Sequence, residues 1–196
     1  MKKAFTLIEV VILLVIFILV ALLVIPLSID DTIQARNISK WKQIHTDFTN
    51  IPTSVKSFSD RDMCLQDFVI ALVKIHPLNK VVSYKIKYMN GDTPAENYIF
   101  KEKYNTDSGA VLGFNWFDCP QIDSATNKKI LGVMMYDVNG KQGPNVWGKD
   151  VFGMNIYSDD ITPFGKGASP EDIEFDCSRQ GTGLYCSTYY INGGSF

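Results

Sequence analysis

The longest apolar segment of the chain lies at its start. Every residue from Val10 to Ile25 is apolar, and Phe5 to Ile8 extend this run, which only Thr6 and Glu9 interrupt. As a helix the whole stretch would be about 30 Å long, the thickness of the hydrocarbon core of a bilayer. The pattern therefore predicts a membrane-spanning helix.

A secretory signal peptide and a plain single-span anchor are the two simpler interpretations of this segment. A signal peptide would also begin with basic residues such as Lys2 and Lys3, but its apolar core is usually shorter. The residues after Ile25 also offer no convincing small-x-small cleavage site. A plain anchor leaves Glu9 unexplained, because a carboxylate toward the middle of a span costs about 2.5–3.5 kcal/mol on insertion scales.

Past Pro26 the pattern becomes that of an amphipathic helix, which is expected to continue the first. Its apolar side consists of Ile33, Ile38, Trp41, Ile44 and Phe48. The pair Ile51-Pro52 ends this helix, because the residue before a proline disfavours the α region. A second helix is predicted over Cys64 to Val73.

After the second helix the apolar positions recur about every two residues, which is typical of strands. Strands are predicted at Val81–Tyr88, Glu96–Lys101, Gly109–Phe117, Ile130–Tyr136 and Val151–Tyr157, with a turn at Asn90–Pro94 between the first two. Glycine, serine and proline become frequent from Pro163 onward, which predicts a loop-rich C-terminal region. The expected fold class is α+β, with the long N-terminal helix packed on an antiparallel sheet.

Length and charge exclude some classes of function. The 196 residues suffice for one ordinary domain and an accessory segment. The net charge of −2 would become −4 on loss of Lys2 and Lys3, so no basic surface is expected to bind nucleic acid. His45 and His76 have no nucleophile or ligand at a telling offset, and the sequence lacks the common hydrolase and phosphate-loop motifs. We therefore do not expect an enzyme.

The four cysteines do not form the C-x-x-C pairs that structural zinc sites use. Disulfides are favoured if the domain lies outside the cytoplasm, and buried free thiols are the alternative. Of the three connectivities, Cys177 with Cys186 is favoured because the short loop between them contains Gly181 and Gly183. This choice leaves Cys64 with Cys119.

The segment from Asp137 to Asp150 clusters oxygen-bearing side chains among glycines and a proline, between two apolar strands. Calcium prefers six to eight oxygen ligands, so the candidate ligands are the side chains of Asp137, Asn139, Asn145 and Asp150. EF-hand spacing does not fit, because Gly148 stands where the bidentate glutamate belongs. The alternative interpretation is a turn stabilised by Asp and Asn side chains, without a metal.

Residues Lys2 to Val10 closely resemble the prepilin processing motif of type IV pilins and type II secretion pseudopilins. The resemblance implies that a membrane prepilin peptidase cuts between Ala4 and Phe5 and methylates the new amine of Phe5. Ala4 departs from the glycine usual before the cut, and it is small enough that we expect processing to survive. Pro26 falls where many members carry a helix-bending proline. The loop from residue 137 to 150 is similar to the calcium-binding loop of some pseudopilins.

The resemblance also implies an organisation for the chain. Residues 1–4 would be the leader, 5–27 the membrane-spanning and filament-core half of the helix, and 28–196 an extracytoplasmic, pilin-like head. A single-pass protein of the inner membrane would then join a type IV pilus or type II secretion filament, with itself and other pilins or pseudopilins as partners. No cofactor would be required, and Ca²⁺ is the one candidate. The alternative function is a monomeric membrane-tethered extracytoplasmic binding module.

In a filament of staggered helices, the amine of Phe5 could meet Glu9 of a neighbouring subunit. In a low-dielectric setting such an ion pair is strong and an unpaired charge is costly, so the pair would specify the register of the helices. We therefore expect Glu9 to act in assembly.

Overall fold

The computed structural model describes residues 7–50, 78–80, 85–100, 102–122, 127–157 and 160–195. The chain divides into two compact units, one ending at Arg36 and the other running from Asn37 to Ser195. Helix α1, Leu7–Thr49, belongs to both because the division falls within it. The helix predicted over Cys64 to Val73 lies outside the described residues.

In the first unit, α1 carries a continuous apolar surface. Every large apolar side chain from Leu7 to Val24 is exposed, and Leu7, Phe17 and Leu23 are more than 70% exposed. The helix continues through Pro26 without interruption, and it is long and apolar enough to cross a membrane. Such a surface is unfavourable in water, so the first unit has the properties expected of a membrane span.

The second unit is built on an antiparallel sheet in which each strand pairs with its neighbour in sequence. The strands are β1 (Leu78–Lys80), β2 (Glu102–Thr106), β3 (Val111–Ile122), β4 (Lys129–Asp137), β5 (Val151–Tyr157) and β6 (Ile161–Pro163). The α+β prediction is confirmed, and so are the predicted strands that became β3, β4 and β5. Short strands β1, β2 and β6 extend the sheet on both sides of this centre.

One face of the sheet packs against the last turns of α1. Trp41 and Phe48 are buried there, and the Trp41 ring stacks on Phe152 at a centroid distance of 5.0 Å. The indole nitrogen of Trp41 donates a hydrogen bond of 2.9 Å to the carbonyl oxygen of Ser187. The amphipathic pattern is thus confirmed in this part of the helix, whereas Ile33 remains exposed.

The opposite face of the sheet is also covered, by loops. Val133 and Met135 of β4 lie there with Trp147 and Phe164, all in a second buried cluster. Gly153 of β5 makes room for this layer, because a Cβ at that position would lie 2.1 Å from a ring carbon of Phe164. Burial on both faces explains why β4 has few polar residues in alternation.

Two predicted strands are wrong in the described residues. The segment Glu96–Tyr98 is a 3₁₀ helix, closed by hydrogen bonds from the Tyr98 and Ile99 amides to the carbonyl oxygens of Ala95 and Glu96. Its alternating aromatic residue Tyr98 packs edge-on against Trp147 and Phe164 and does not join a ladder. Residues 85–88 form only an isolated bridge, between Lys87 and Val146, and residues 81–84 lie outside the described range. A turn lies at Met89 and Asn90, at the start of the predicted turn segment, and is closed by a hydrogen bond of 3.0 Å from the Gly91 amide to the carbonyl oxygen of Tyr88.

The C-terminal region contains two short helices that the glycine-rich pattern did not predict, α2 (Pro170–Asp176) and α3 (Cys186–Ile191). The Ser169 hydroxyl caps α2 by accepting a hydrogen bond from the Asp172 amide. The disulfide Cys177–Cys186 is confirmed and joins the two helices. The Asp176 carboxylate also closes this loop, because it accepts hydrogen bonds from the amides of Thr182 and Tyr185. Cys64 lies outside the described residues, so its pairing with Cys119 stays a prediction.

Candidate functional site

The first candidate site is the start of α1. Glu9 is exposed and lies in the first turn of the helix. A carboxylate in the first turn stabilises a helix, because its negative charge interacts favourably with the helix dipole. Ala4 and Phe5, the residues of the predicted cleavage site, lie outside the described residues. Pro26 lies within the helix, some turns after Glu9.

The second candidate site is the loop between β4 and β5, where all four predicted ligand residues are described. Asp137 ends β4 and pairs across the ladder with Val151, so the hairpin brings it next to Asp150. Between them the chain forms a 3₁₀ helix, Gly140–Gln142. Gly140 has a φ of +65°, and a Cβ there would lie 2.0 Å from the carbonyl oxygen of Gly109. A side chain at this position would therefore push the loop away from the neighbouring turn.

Both carboxylates hold the loop backbone in place. Oδ1 of Asp137 accepts hydrogen bonds from the amides of Asn139 at 3.0 Å and Gly140 at 2.8 Å. The two oxygens of Asp150 accept from the amides of Asn145 at 2.8 Å and Val146 at 2.7 Å. These bonds account for the turn that the sequence analysis offered as the alternative interpretation.

The electrostatics of the pair are unfavourable in the absence of a cation. Both side chains are fully buried. Burial, followed by the negative charge of Asp150, raises the pKa of Asp137 to about 8. Burial also raises the pKa of Asp150, against the hydrogen bonds from Val146, Asn145 and Asn139. Two carboxylates so placed call for a shared proton or a bound cation.

Amide oxygens complete the oxygen-rich character of the loop. The side-chain oxygens Oδ1 of Asn139 and Asn145 are buried and have no hydrogen-bond partner within the described part of the chain. The amide nitrogen of Asn139 is used, since it donates a 2.8 Å hydrogen bond to the carbonyl oxygen of Gly143. Buried oxygens without donors are unusual and suit a ligand that is itself positive.

Helix α1 contributes two further residues that the sequence analysis missed. Asn37, only 1% exposed, donates from its amide to the carbonyl oxygen of Lys149 at 3.4 Å, and its own Oδ1 has no partner in the described residues. The ammonium of Lys40 donates to the carbonyl oxygen of Val138 at 3.2 Å. The signal available in sequence was weak: Asn37 is a polar residue next to the apolar stripe, and only the packing of α1 brings it to the loop.

The donor chemistry of the loop fits a hard cation in part. Its side-chain donors are all oxygens, as Ca²⁺ requires, but only two are carboxylates. No group of three or more acidic, histidine or cysteine side chains that could hold a metal occurs among the described residues. Backbone carbonyls or water would have to supply the remaining ligands, so we expect modest affinity.

Comparisons with known proteins add no relative. No family model, no curated protein and no solved structure matched this chain.

Proposed function

We propose that this chain is a pilin or pseudopilin, a structural subunit of a type IV pilus-like or type II secretion filament. Before assembly the subunit would be anchored in the inner membrane with its head outside the cytoplasm. It would then assemble into the filament through α1. The motif from Lys2 to Val10 and the α+β head built on a long N-terminal helix support this proposal.

The observation that carries the proposal is the exposed apolar surface of α1 from Leu7 to Val24 together with the one carboxylate in that stretch. From Leu7 to Val24 the large apolar side chains are exposed, and Glu9 is the one charged residue in that stretch. A membrane can cover such a surface before assembly, and other helices of the same kind can cover it in a filament. A simple anchor needs only the apolar residues.

Glu9 would then act as the register group. Removal of residues 1–4 leaves a positive amine at Phe5, which methylation does not neutralise. Placed against Glu9 of a neighbouring subunit in an apolar surrounding, this amine forms an ion pair, whereas a wrong stagger leaves both charges unpaired. Subunits would therefore stack at one axial offset, much as a buried polar residue fixes the register of a coiled coil.

The loop from Asp137 to Asp150 would support the head in this role. Asp137 and Asp150 would hold a bound Ca²⁺, which would offset their mutual repulsion, and the buried oxygens of Asn139 and Asn145 would gain a partner. The ion would supply charge neutralisation only. The chain itself supplies the hairpin and the backbone hydrogen bonds that hold both carboxylates in place.

Intact-mass analysis of assembled protein tests the processing step. We expect a chain that begins at Phe5 and carries one methyl group on its amine. In a strain that lacks prepilin peptidase the leader should remain, with a mobility shift on immunoblots.

As a matched variant, Ala4→Gly restores the residue usual in the family and should be processed at least as fast. Assembled protein with Met1 or Lys2 at its terminus would contradict the proposal, and a tethered binding module should show no difference between the strains.

A further inference from the structure

Buried oxygens without a hydrogen-bond partner gather at one place in the second unit. In the described part of the chain they are Oδ1 of Asn37, Asn139 and Asn145 and Oγ1 of Thr188. Asn139 and Asn145 both hydrogen-bond to Asp150 through other atoms. The amide nitrogen of Asn37 lies 3.4 Å from the carbonyl oxygen of Lys149, the residue before Asp150. Three of the four oxygens therefore belong to side chains that contact Asp150 or its immediate neighbour.

Helix α1 meets the β4–β5 hairpin beside both buried carboxylates. Asn37 contacts Lys149, and the ammonium of Lys40 donates a hydrogen bond of 3.2 Å to the carbonyl oxygen of Val138. Val138 follows Asp137, and its amide donates to the carbonyl oxygen of Asp150 at 2.9 Å. Asn37 and Lys40 are three residues apart and so lie on the same side of the helix. Two elements distant in sequence thus come together where a cation would bind.

The contact of Asn37 is not explained by hydrogen bonding alone. Its 3.4 Å separation is longer than the usual range of roughly 2.7–3.2 Å for an N–H···O bond. The side chain is 1% exposed, so Oδ1 has lost water without gaining a donor among the described residues. An apolar side chain of the same size would avoid this loss, because a buried acceptor left alone is destabilising. A positive ligand would supply what the oxygen lacks.

A cation could use this amide without moving the helix. The two ends of an asparagine amide have nearly the same shape, so a half-turn of the group would put oxygen where nitrogen lies. Neighbouring oxygen ligands of one Ca²⁺ lie roughly 3–3.5 Å apart, because each is about 2.3–2.6 Å from the ion. The Asn37 amide and the Lys149 carbonyl have such a separation. Burial is no obstacle, since an ion is enclosed by its donors, and the half-buried Asn139 and Asn145 leave the hairpin side accessible.

We propose that Asn37 is a ligand residue of the hairpin cation site, so that α1 and the β4–β5 hairpin share one bound Ca²⁺. This inference rests on the calcium site of the proposed function and adds to it a donor from a second element. Two carboxylates and three side-chain amides would then face the ion, which leaves fewer positions for water. Calcium binding and the packing of α1 on the sheet would be linked, and each would strengthen the other.

Two substitutions of Asn37 should change calcium affinity in opposite directions. Calorimetric titration of the full-length protein in detergent, after removal of metal by a chelator, measures the affinity. Asn37→Leu removes the oxygen at similar size and should lower the affinity about tenfold. Its melting temperature in chelator should not fall, because a buried acceptor without a partner is removed. Asn37→Asp supplies a charged ligand, so it should raise the affinity at least about threefold and lower the melting temperature in chelator.

Two control variants on α1 separate ligation from other effects. Gln43→Glu adds one carboxylate at an exposed position of the helix and should leave the affinity unchanged within about twofold. Lys40→Met breaks the other contact between α1 and the hairpin and removes a positive charge. Its affinity should stay the same or rise, whereas a purely structural role of the α1 contacts would lower it.

Hydrogen exchange followed by mass spectrometry gives a local readout. Calcium should slow exchange at the hairpin and also in the peptides of α1 between Asn37 and Thr49. In Asn37→Leu at saturating calcium, only the hairpin should remain protected.

The outcomes distinguish this inference from the proposed function. If the wild type binds no Ca²⁺, the calcium site fails together with the role of Asn37, whereas processing and assembly through Glu9 are tested separately. If the wild type binds Ca²⁺ but both Asn37 variants keep its affinity, the role of Asn37 alone is overturned. It is equally overturned if both variants lose affinity, or if calcium protects the hairpin of the wild type and not α1.

Discussion

At the scale of single residues, the most unusual feature of this protein is the pair of buried carboxylates in the β4–β5 hairpin. Asp137 and Asp150 are fully buried and close enough for the charge of Asp150 to raise the pKa of Asp137. Backbone amides stabilise both groups but do not neutralise them. The state of this pair should therefore respond to protons and to cations.

The first prediction concerns pH in the presence of a chelator. The pKa of Asp137 is about 8 in the folded chain against an ordinary value of 3.8, so the folded state binds more protons between these values. Stability from this group is then present below about pH 4 and is lost as the pH rises towards 8. We expect the melting temperature to fall by at least about 4 °C between about pH 5 and about pH 8. This corresponds to a loss of free energy of unfolding on the order of 1–2 kcal/mol.

Asp137→Asn should flatten this slope, because the amide cannot ionise. Asp47→Asn serves as the control, since Asp47 is an exposed carboxylate outside the loop. The prediction is contradicted if the melting temperature of the wild type rises over the same pH range. It is also contradicted if the melting temperature of Asp137→Asn falls with pH as steeply as that of the wild type.

At the scale of elements, the hairpin loop is expected to bind Ca²⁺. A ligand that binds only the native state raises the melting temperature by an amount that grows with RT ln(1 + [L]/Kd). Millimolar Ca²⁺ should therefore raise the melting temperature of the full chain above its value in chelator, and the gain should be largest where Asp137 is ionised. Asp137→Ala should abolish the gain.

A turn outside the loop provides the matched control for calcium. The carboxylate of Asp92 also lies in a tight turn, where it accepts a hydrogen bond of 3.0 Å from Nδ2 of the Asn90 side chain. Asp92→Ala should lower stability slightly and leave the calcium effect intact. Equal melting temperatures of the wild type in Ca²⁺ and in chelator would leave only the turn interpretation.

The disulfide between α2 and α3 is the second prediction at this scale. Cys177 and Cys186 close a loop of sequence separation 9, and Cys186 is fully buried in the main core. Replacing both residues by alanine should lower the free energy of unfolding by about 2–4 kcal/mol. The Asp176 hydrogen bonds hold the same segment, so we expect the fold to persist. Denaturant titration with and without reductant is the measurement: reductant should lower the free energy of unfolding of the wild type more than that of the double variant, in which only the predicted Cys64–Cys119 bond could still be reduced.

At the scale of the whole molecule, the proposed function predicts that insertion and assembly can be separated. Glu9→Leu removes a carboxylate from the apolar helix, so membrane insertion should be unchanged or improved. Filament incorporation should fall strongly, because the amine of Phe5 loses its partner. Glu9→Asp keeps the charge and should retain part of the assembly.

Membrane fractionation and filament shearing measure the two effects in the same cells. Normal filaments from Glu9→Leu would refute the register argument. Loss of the protein from the membrane fraction would instead indicate an insertion defect.

What the amino-acid sequence determines on its own is local. The apolar run from Val10 to Ile25 predicts its helix because an unbroken stretch of this length needs no knowledge of a partner. Strands β3 to β5 were predictable from dense apolar and β-branched residues, and the Cys177–Cys186 pair from a short glycine-containing loop. The cap of α2 was also visible, as serine followed by proline and acidic residues, but glycine content outweighed it.

Tertiary structure decided what depends on contacts between distant segments. Tyr98 and Phe100 alternate like strand residues, yet their rings pack on Trp147. They do so because the apolar side chains on the second face of the sheet are buried against this segment. The loop carboxylates acquire their raised pKa values only when the hairpin buries them together. Asn37 and Lys149 lie 112 residues apart in the sequence and meet only through the packing of α1 on the hairpin. The periodicity of apolar residues along the sequence shows which side of a helix or strand is apolar. Which element packs against that side depends on contacts between distant segments, and no local sequence pattern reveals them.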